Sequence, residues 1–175
     1  MNAKQNGQAD SNHHDEALVA TAPITVSSSA FTNGSPIPQR YSCQGDNISP
    51  GLAWGAPPSG TQSFALVCED PDAPSGLFVH WVLYNIPSTE RGLAENIPTK
   101  DSLTNGTHQG KNGANKTGYT GPCPPPGKPH RYYFKVFALD EKLTLTGDVD
   151  HDKLMSAIQG HVLGEGEVMG TYQRQ

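Results

Sequence analysis

A chain of 175 residues suffices for one domain with a short appendage, and buries roughly two-thirds of its unfolded surface without needing a disulfide. Its net charge of −5 lacks the clustered cations of a nucleic-acid footprint, and the run Lys128 to Arg131 is too short to supply one. Apolar content of 34% beside 19 Gly and 15 Pro indicates short strands and many turns, and no apolar stretch approaches the ~20 residues that span a bilayer.

Residues 1–22 are rich in Asn, Gln, Asp and His with little to bury, and are read as a disordered polar tail ahead of one domain over 23–175. His13, His14 and Asp15 offer a weak metal site there, although solvated side chains are the simpler reading. The tail lacks the basic start and apolar middle of a secretory signal, so a cytoplasmic location is expected. Ile24 and Val26, alternating with Thr25 and Ser27 and closed by Phe31 before Asn33-Gly34, predict a strand. Ile37–Cys43 is a second short extended piece, and Leu52–Trp54 a short strand with Trp54 in the core. Ser63–Glu69 and His80–Ile86 are nearly continuous apolar runs, the pattern of central strands covered on both faces. Gly92–Lys116 is a long polar excursion. Arg131–Leu139 is a third strong strand, with Tyr132, Phe134, Val136 and Ala138 on one face and Tyr133, Lys135, Phe137 and Leu139 on the other. After a cap-like Asp150, the spacing of Leu154, Ile158 and Val162, flanked by Met155 and Leu163, predicts a helix stopped by Gly164 and Gly166. Glu167–Gln173 returns as a last strand. Patterning by itself thus reaches a mainly β domain with one clear helix near its C-terminus.

Chemistry concentrates at strand–loop junctions. Gly118–Tyr133 carries five prolines and three glycines and runs directly into His130, a rigid loop delivering an imidazole. Asp70-Pro71-Asp72-Ala73-Pro74 mounts two carboxylates between residues of fixed φ. For Asp70, turn-making and site duty weigh equally, and Asp72 is read as a turn-maker. His80 opens an apolar strand, as His130 does; either alone is more often structural. If Asp70, His80 and His130 converge, the arrangement favours an anion, since a nearby carboxylate holds an imidazole protonated and each imidazolium N–H gives a charge-assisted bond of roughly 1.5–3 kcal/mol. Prolines carry no N–H, so any backbone donors would come from Gly118 to Gly121 or nearby residues. The same groups permit zinc, but without HxxxH or HExxH spacing. Cys123 with His130 permits a thiol hydrolase, although Gly-Pro-Cys-Pro lacks the helix N-terminus that activates a thiol. No CxxC occurs; Cys68 reads as a buried thiol, and Cys43 and Cys123 lie where they could meet, with a reducing cytosol weighing against a persistent bridge.

Asp70-Pro-Asp-Ala-Pro74, the strand opening His80-Trp81, and Gly121-Pro122 leading to His130-Arg131-Tyr132, in this order, resemble the phosphatidylethanolamine-binding proteins, most closely their bacterial Raf-kinase-inhibitor-like branch. The resemblance covers about Ser28 to Tyr172. It implies two packed antiparallel β-sheets with peripheral helices, and a pocket for phosphate-like anions built from Asp70, His80, Gly121, Pro122, His130 and Tyr132. Asp72, Ala73, Pro74 and Cys123 would support that pocket, with a cis Ala73–Pro74 bond and no metal or cofactor. Compared with animal members, the segment before His80 is short (Ser75–Val79), the Cys123-Pro-Pro-Pro insertion reshapes the mouth, and the extra C-terminal helix is lacking. The expected function is binding of phosphate or a phospho-head-group, without catalysis, to modulate a protein partner such as a kinase, in a chain whose bacterial relatives suggest a homodimer. The alternatives are a protease inhibitor acting through surface loops, and a metal- or Cys-dependent hydrolase.

Overall fold

A computed structural model of the chain describes residues 21–175; the tail, with His13, His14 and Asp15, lies outside the described residues except for its last two positions. The strands are β1 (Ala22–Pro23), β2 (Val26–Ser28), β3 (Leu52–Trp54), β4 (Ser63–Asp70), β5 (Phe78–Pro87), β6 (Gly92–Leu93), β7 (His108–Gln109), β8 (His130–Leu139) and β9 (Val162–Tyr172), with one helix, α1 (His151–Ile158). They form a six-stranded sheet in the order β1-β9-β8-β4-β5-β7 and a three-stranded sheet β2-β3-β6. Every pairing between these strands is antiparallel except that of β1 with β9.

β4 is buried from end to end because it lies between β5 and β8 with both faces covered. Phe64, Leu66 and Cys68 face the small sheet and pack with Val26, Leu52 and Trp54, while Ala65 and Val67 face α1 through Leu154 and Ile158. The faces read for β8 hold: Tyr132, Phe134, Val136 and Ala138 lie between the sheets, and Phe137 and Leu139 lie under the helix. Each fully buried large side chain here, such as Phe64, Trp81 and Phe134, contributes about 1.5–3 kcal/mol of burial free energy.

Local differences have identifiable causes. Ile37–Cys43 is not extended: Pro38, with its fixed φ, leads into a 3-10 turn at Gln39–Tyr41. The helix starts where expected, with the Asp150 carboxylate accepting the Lys153 N–H, but it ends at Ile158. Gln159 is extended and Gly160 has φ +79°, so Val162 and Leu163 belong to β9. Gly164 and Gly166 are therefore strand residues, needed because a Cβ at either would collide with the backbone of Ala22 or Ile24 alongside. Ala22, placed in the tail, pairs with Gly164.

One irregularity sets the site. Along β4 and β5, Cys68 pairs with Trp81 but Glu69 pairs with Val79, so His80 is an extra residue, a β-bulge. Strict alternation would put His80 and Trp81 on opposite faces. The bulge instead leaves both on the side of the small sheet, where Trp81 joins the core and His80 meets Tyr132.

Candidate functional site

At the β4 end next to the bulge, Asp70, His80, His130 and Tyr132 line one cavity of about 330 Å³. Asp70 is nearly fully buried and both its oxygens are used: Oδ1 accepts the Asp72 N–H at 2.8 Å, and Oδ2 accepts from His130 Nδ1 at 2.7 Å. The carboxylate thus makes the turn and orients the imidazole together. Asp72 is not the turn-maker expected. It faces Arg131, accepting from that residue's backbone N–H at 3.0 Å, from Nε at 2.9 Å and from Nη2 at 2.8 Å. The Arg131 hydrogen bonds hold the Asp72 carboxyl down at about 2. Asp72 and Arg131 therefore latch the Asp-Pro loop to the strand that carries His130. The Ala73–Pro74 bond expected in cis is trans, the isomer X–Pro bonds favour by about 0.5–1 kcal/mol; Ala73 and Pro74 still line the cavity.

His80 is 4% exposed, its ring edge-on to Phe78 and Tyr132 at centroid distances of 4.8 and 5.1 Å. Nδ1 donates to the Thr120 carbonyl at 2.6 Å. Burial is the dominant influence and lowers its pKa, outweighing the Thr120 and Gly121 carbonyls and the Asp70 charge, so burial works against the imidazolium expected at this ring. The Tyr132 hydroxyl is buried with no hydrogen-bond partner, and burial pushes its ionisation well up, so it stays a hydroxyl.

The proline loop contributes shape rather than donors. The N–H groups of Gly118, Thr120 and Gly121 are bonded to the Gly110 carbonyl, the His80 carbonyl and Asn47 Oδ1, so three of the four backbone donors expected from Gly118 to Gly121 are already used. Gly121 lines the cavity, and a Cβ there would collide with the Tyr41 carbonyl and Asn47. Pro122 is not a lining residue; its carbonyl accepts the Cys43 N–H at 3.0 Å. Cys123 lines the cavity and, against the cytosolic expectation, is bridged to Cys43 with Cα atoms 5.4 Å apart. A disulfide sulfur is not a thiolate, so this cysteine is not the nucleophile of a thiol hydrolase. Among the described residues, the side chains with metal-ligand spacing are Asp140, Glu141 and His161, none of which lines the cavity.

Sequence reading missed Phe78 and Ala114, which supply apolar wall together with Pro124 and Pro125 of the insertion expected to reshape the mouth. Phe78, two residues before His80 on an apolar strand, had a signal; Ala114, from the polar excursion, had none. Asn47, at φ +56° after Gly45-Asp46, is the unforeseen support of Gly121.

A two-sheet β domain with a small Asp-, His- and Tyr-lined cavity at one sheet end is a ligand-binding module by architecture. Residues 27–173 match the family model described as phosphatidylethanolamine-binding protein, and the chain belongs to that family. It is 45% identical over 151 residues to a UPF0098 protein of Methanothermobacter thermautotrophicus, covering 86% of this chain and 99% of the relative. A UPF0098 protein of Aquifex aeolicus is 44% identical over 155 residues, 87% of this chain and 90% of the relative. Among solved structures, the Chlamydia trachomatis homologue CT736 superposes with a TM-score of 0.80 at 39% identity, covering 89% of this chain and 100% of that one. Escherichia coli YbcL, described as a member of the mammalian family, gives 0.81 at 32% identity over 88% and 100% of the two chains.

Proposed function

We propose that the cavity binds a small oxyanion, phosphate or a phosphorylated group, and that the domain is a binding module rather than an enzyme. The observation that carries this reading is the Tyr132 hydroxyl, 1% exposed and without a protein partner, in a residue that lines the same cavity as His80 and His130. Buried polar groups are nearly always hydrogen-bonded, and an oxyanion oxygen supplies the missing partner. His130, held through Nδ1 by Asp70, keeps Nε2 for the ligand. Among the described residues no lysine or arginine lines the cavity, so binding is modest in strength and selective for small, weakly charged groups.

An occupied pocket would modulate a protein partner docked at its rim. Leu77, 52% exposed and the only large exposed hydrophobic side chain among the described residues, stands between Ser75 and Phe78, which both line the cavity. The Cys43–Cys123 bridge belongs with oxidising conditions, which weighs against the cytoplasmic expectation. The test is a titration with inorganic phosphate and phosphoethanolamine, following the His80 and His130 ring signals by NMR. Saturable shifts of both rings support the reading, and no shift of either overturns it.

A further inference from the structure

Resting on the oxyanion reading above, we infer that the cavity selects the singly protonated monoanion of a phosphate monoester over its dianion and over a diester, because His80 presents a hydrogen-bond acceptor beside the donors. A carbonyl oxygen only accepts, so the 2.6 Å contact with Thr120 places the His80 ring proton on Nδ1. Nε2 makes no hydrogen bond within the protein and His80 lines the cavity, so this nitrogen is left for a ligand. In the neutral ring that burial favours, Nε2 is a lone pair.

The groups facing His80 do not alter this. Asp70, from β4, has both oxygens engaged by the Asp72 N–H and by His130. From β8 come Tyr132, a hydroxyl, and His130; from β5 itself comes the apolar Phe78, and from the loop the Thr120 and Gly121 carbonyls, whose pull toward a protonated ring is outweighed by burial. His130, when it carries a second proton, offsets the Asp70 charge and nothing more, so a dianion would bring two charges into a half-dry site with no cation to spare. A dianion or diester also has only acceptor oxygens, and would set a lone pair against Nε2. The monoanion places its P–O–H on His80 Nε2 and its charged oxygens on the Tyr132 hydroxyl and, when that ring carries its second proton, on His130 Nε2–H.

The test compares methyl phosphate, methylphosphonate and dimethyl phosphate, titrated across about pH 5 to 8 with the His80 and His130 rings followed by NMR. Methyl phosphate affinity is expected to fall about tenfold per pH unit above its second ionisation near pH 6. The methylphosphonate profile moves to higher pH by the difference between the two ligands' own ionisations, and dimethyl phosphate binds at least about tenfold more weakly at low pH. A midpoint shared by both ionising ligands, equal binding of the diester, or ring nitrogen shifts showing His80 doubly protonated in the complex would overturn the inference while leaving oxyanion binding intact. Absence of any ring shift with all three probes overturns the oxyanion reading and the inference with it.

Discussion

The Tyr132 hydroxyl has lost its water without gaining a protein partner, and a buried hydroxyl left in that state costs about 1–3 kcal/mol. Tyr132→Phe removes that cost and keeps the ring against His80. The unliganded variant is therefore expected to be more stable by about 1 kcal/mol, with phosphate binding weakened roughly fivefold or more. Denaturant midpoints and the NMR titration check the two halves; a less stable variant with unchanged binding would make the hydroxyl structural. Asp70→Asn is expected to act in the opposite direction. Its amide can keep the turn to Asp72 but presents an N–H to His130 Nδ1, forcing the ring proton to Nε2 and costing about 1–3 kcal/mol. Ring nitrogen shifts of His130 report the tautomer; an unchanged tautomer would mean Asp70 does not orient it. That Asp70, His130 and Tyr132 line one cavity was legible from the motif order of the resemblance. The charge state of His80 was not, because a nearby carboxylate is visible in sequence order whereas burial depends on what Phe78 and Tyr132 close over the ring. Nor was the role of Asp72, since its partner Arg131 is distant in the chain.

Alternation along β4 puts Asp70 in the cavity and its neighbour Glu69 under the helix, where Glu69 Oε1 meets Lys135 Nζ at 2.7 Å and Oε2 meets His151 Nε2 at 2.8 Å. This ties the first turn of α1 to the centre of the large sheet. Burial alone would raise the Glu69 pKa, but the hydrogen bonds from His151 and Lys135 outweigh it and the net shift is downward. The Glu69 hydrogen bond in turn raises His151. The Glu69 contribution is present above its ordinary value of 4.5 and is lost as pH falls through the lower folded value. The His151 contribution is present below its ordinary value of 6.5 and is lost as pH rises through the higher folded value. Both act fully in the window between those ordinary values. Thermal melts should therefore show a larger gap between the native chain and His151→Ala at about pH 5.5 than at about pH 8.5; an equal gap would reduce His151 to packing. The long apolar strands, the Asp150 cap and the β8 faces were legible because burial on fixed faces writes a period into the sequence. The helix end was not, since Val162 continues a four-residue spacing that Gly160 interrupts only through its backbone. The bulge at His80 was also hidden: it changes which face a side chain takes without changing any residue type.

Across the whole molecule, the Cys43–Cys123 bridge closes a separation of 80 residues and joins the 3-10 region to the cavity wall. Sequence reading placed the two cysteines within reach but weighed the compartment against them; what decides the matter is proximity, which the fold supplies. In the chain-entropy account, a closure of this length lowers the entropy of the unfolded chain by an amount worth about 4.5 kcal/mol. The wall has other supports. Tyr119 donates its hydroxyl to the Tyr41 carbonyl at 2.6 Å, Gly121 donates to Asn47 at 2.7 Å, and Cys43 donates to the Pro122 carbonyl at 3.0 Å. Such bonds contribute about 1 kcal/mol each, enough together to hold the loop in place once the rest of the domain is folded. The bridge therefore acts mainly on the unfolded state and the hydrogen bonds on the shape of the pocket. The Cys43→Ser, Cys123→Ser double variant is expected to lose roughly 2–4 kcal/mol in denaturant unfolding while its phosphate affinity under native conditions changes by less than about threefold. If affinity instead collapses in a variant whose sheets remain folded by circular dichroism, the bridge shapes the cavity directly and the three hydrogen bonds do not suffice.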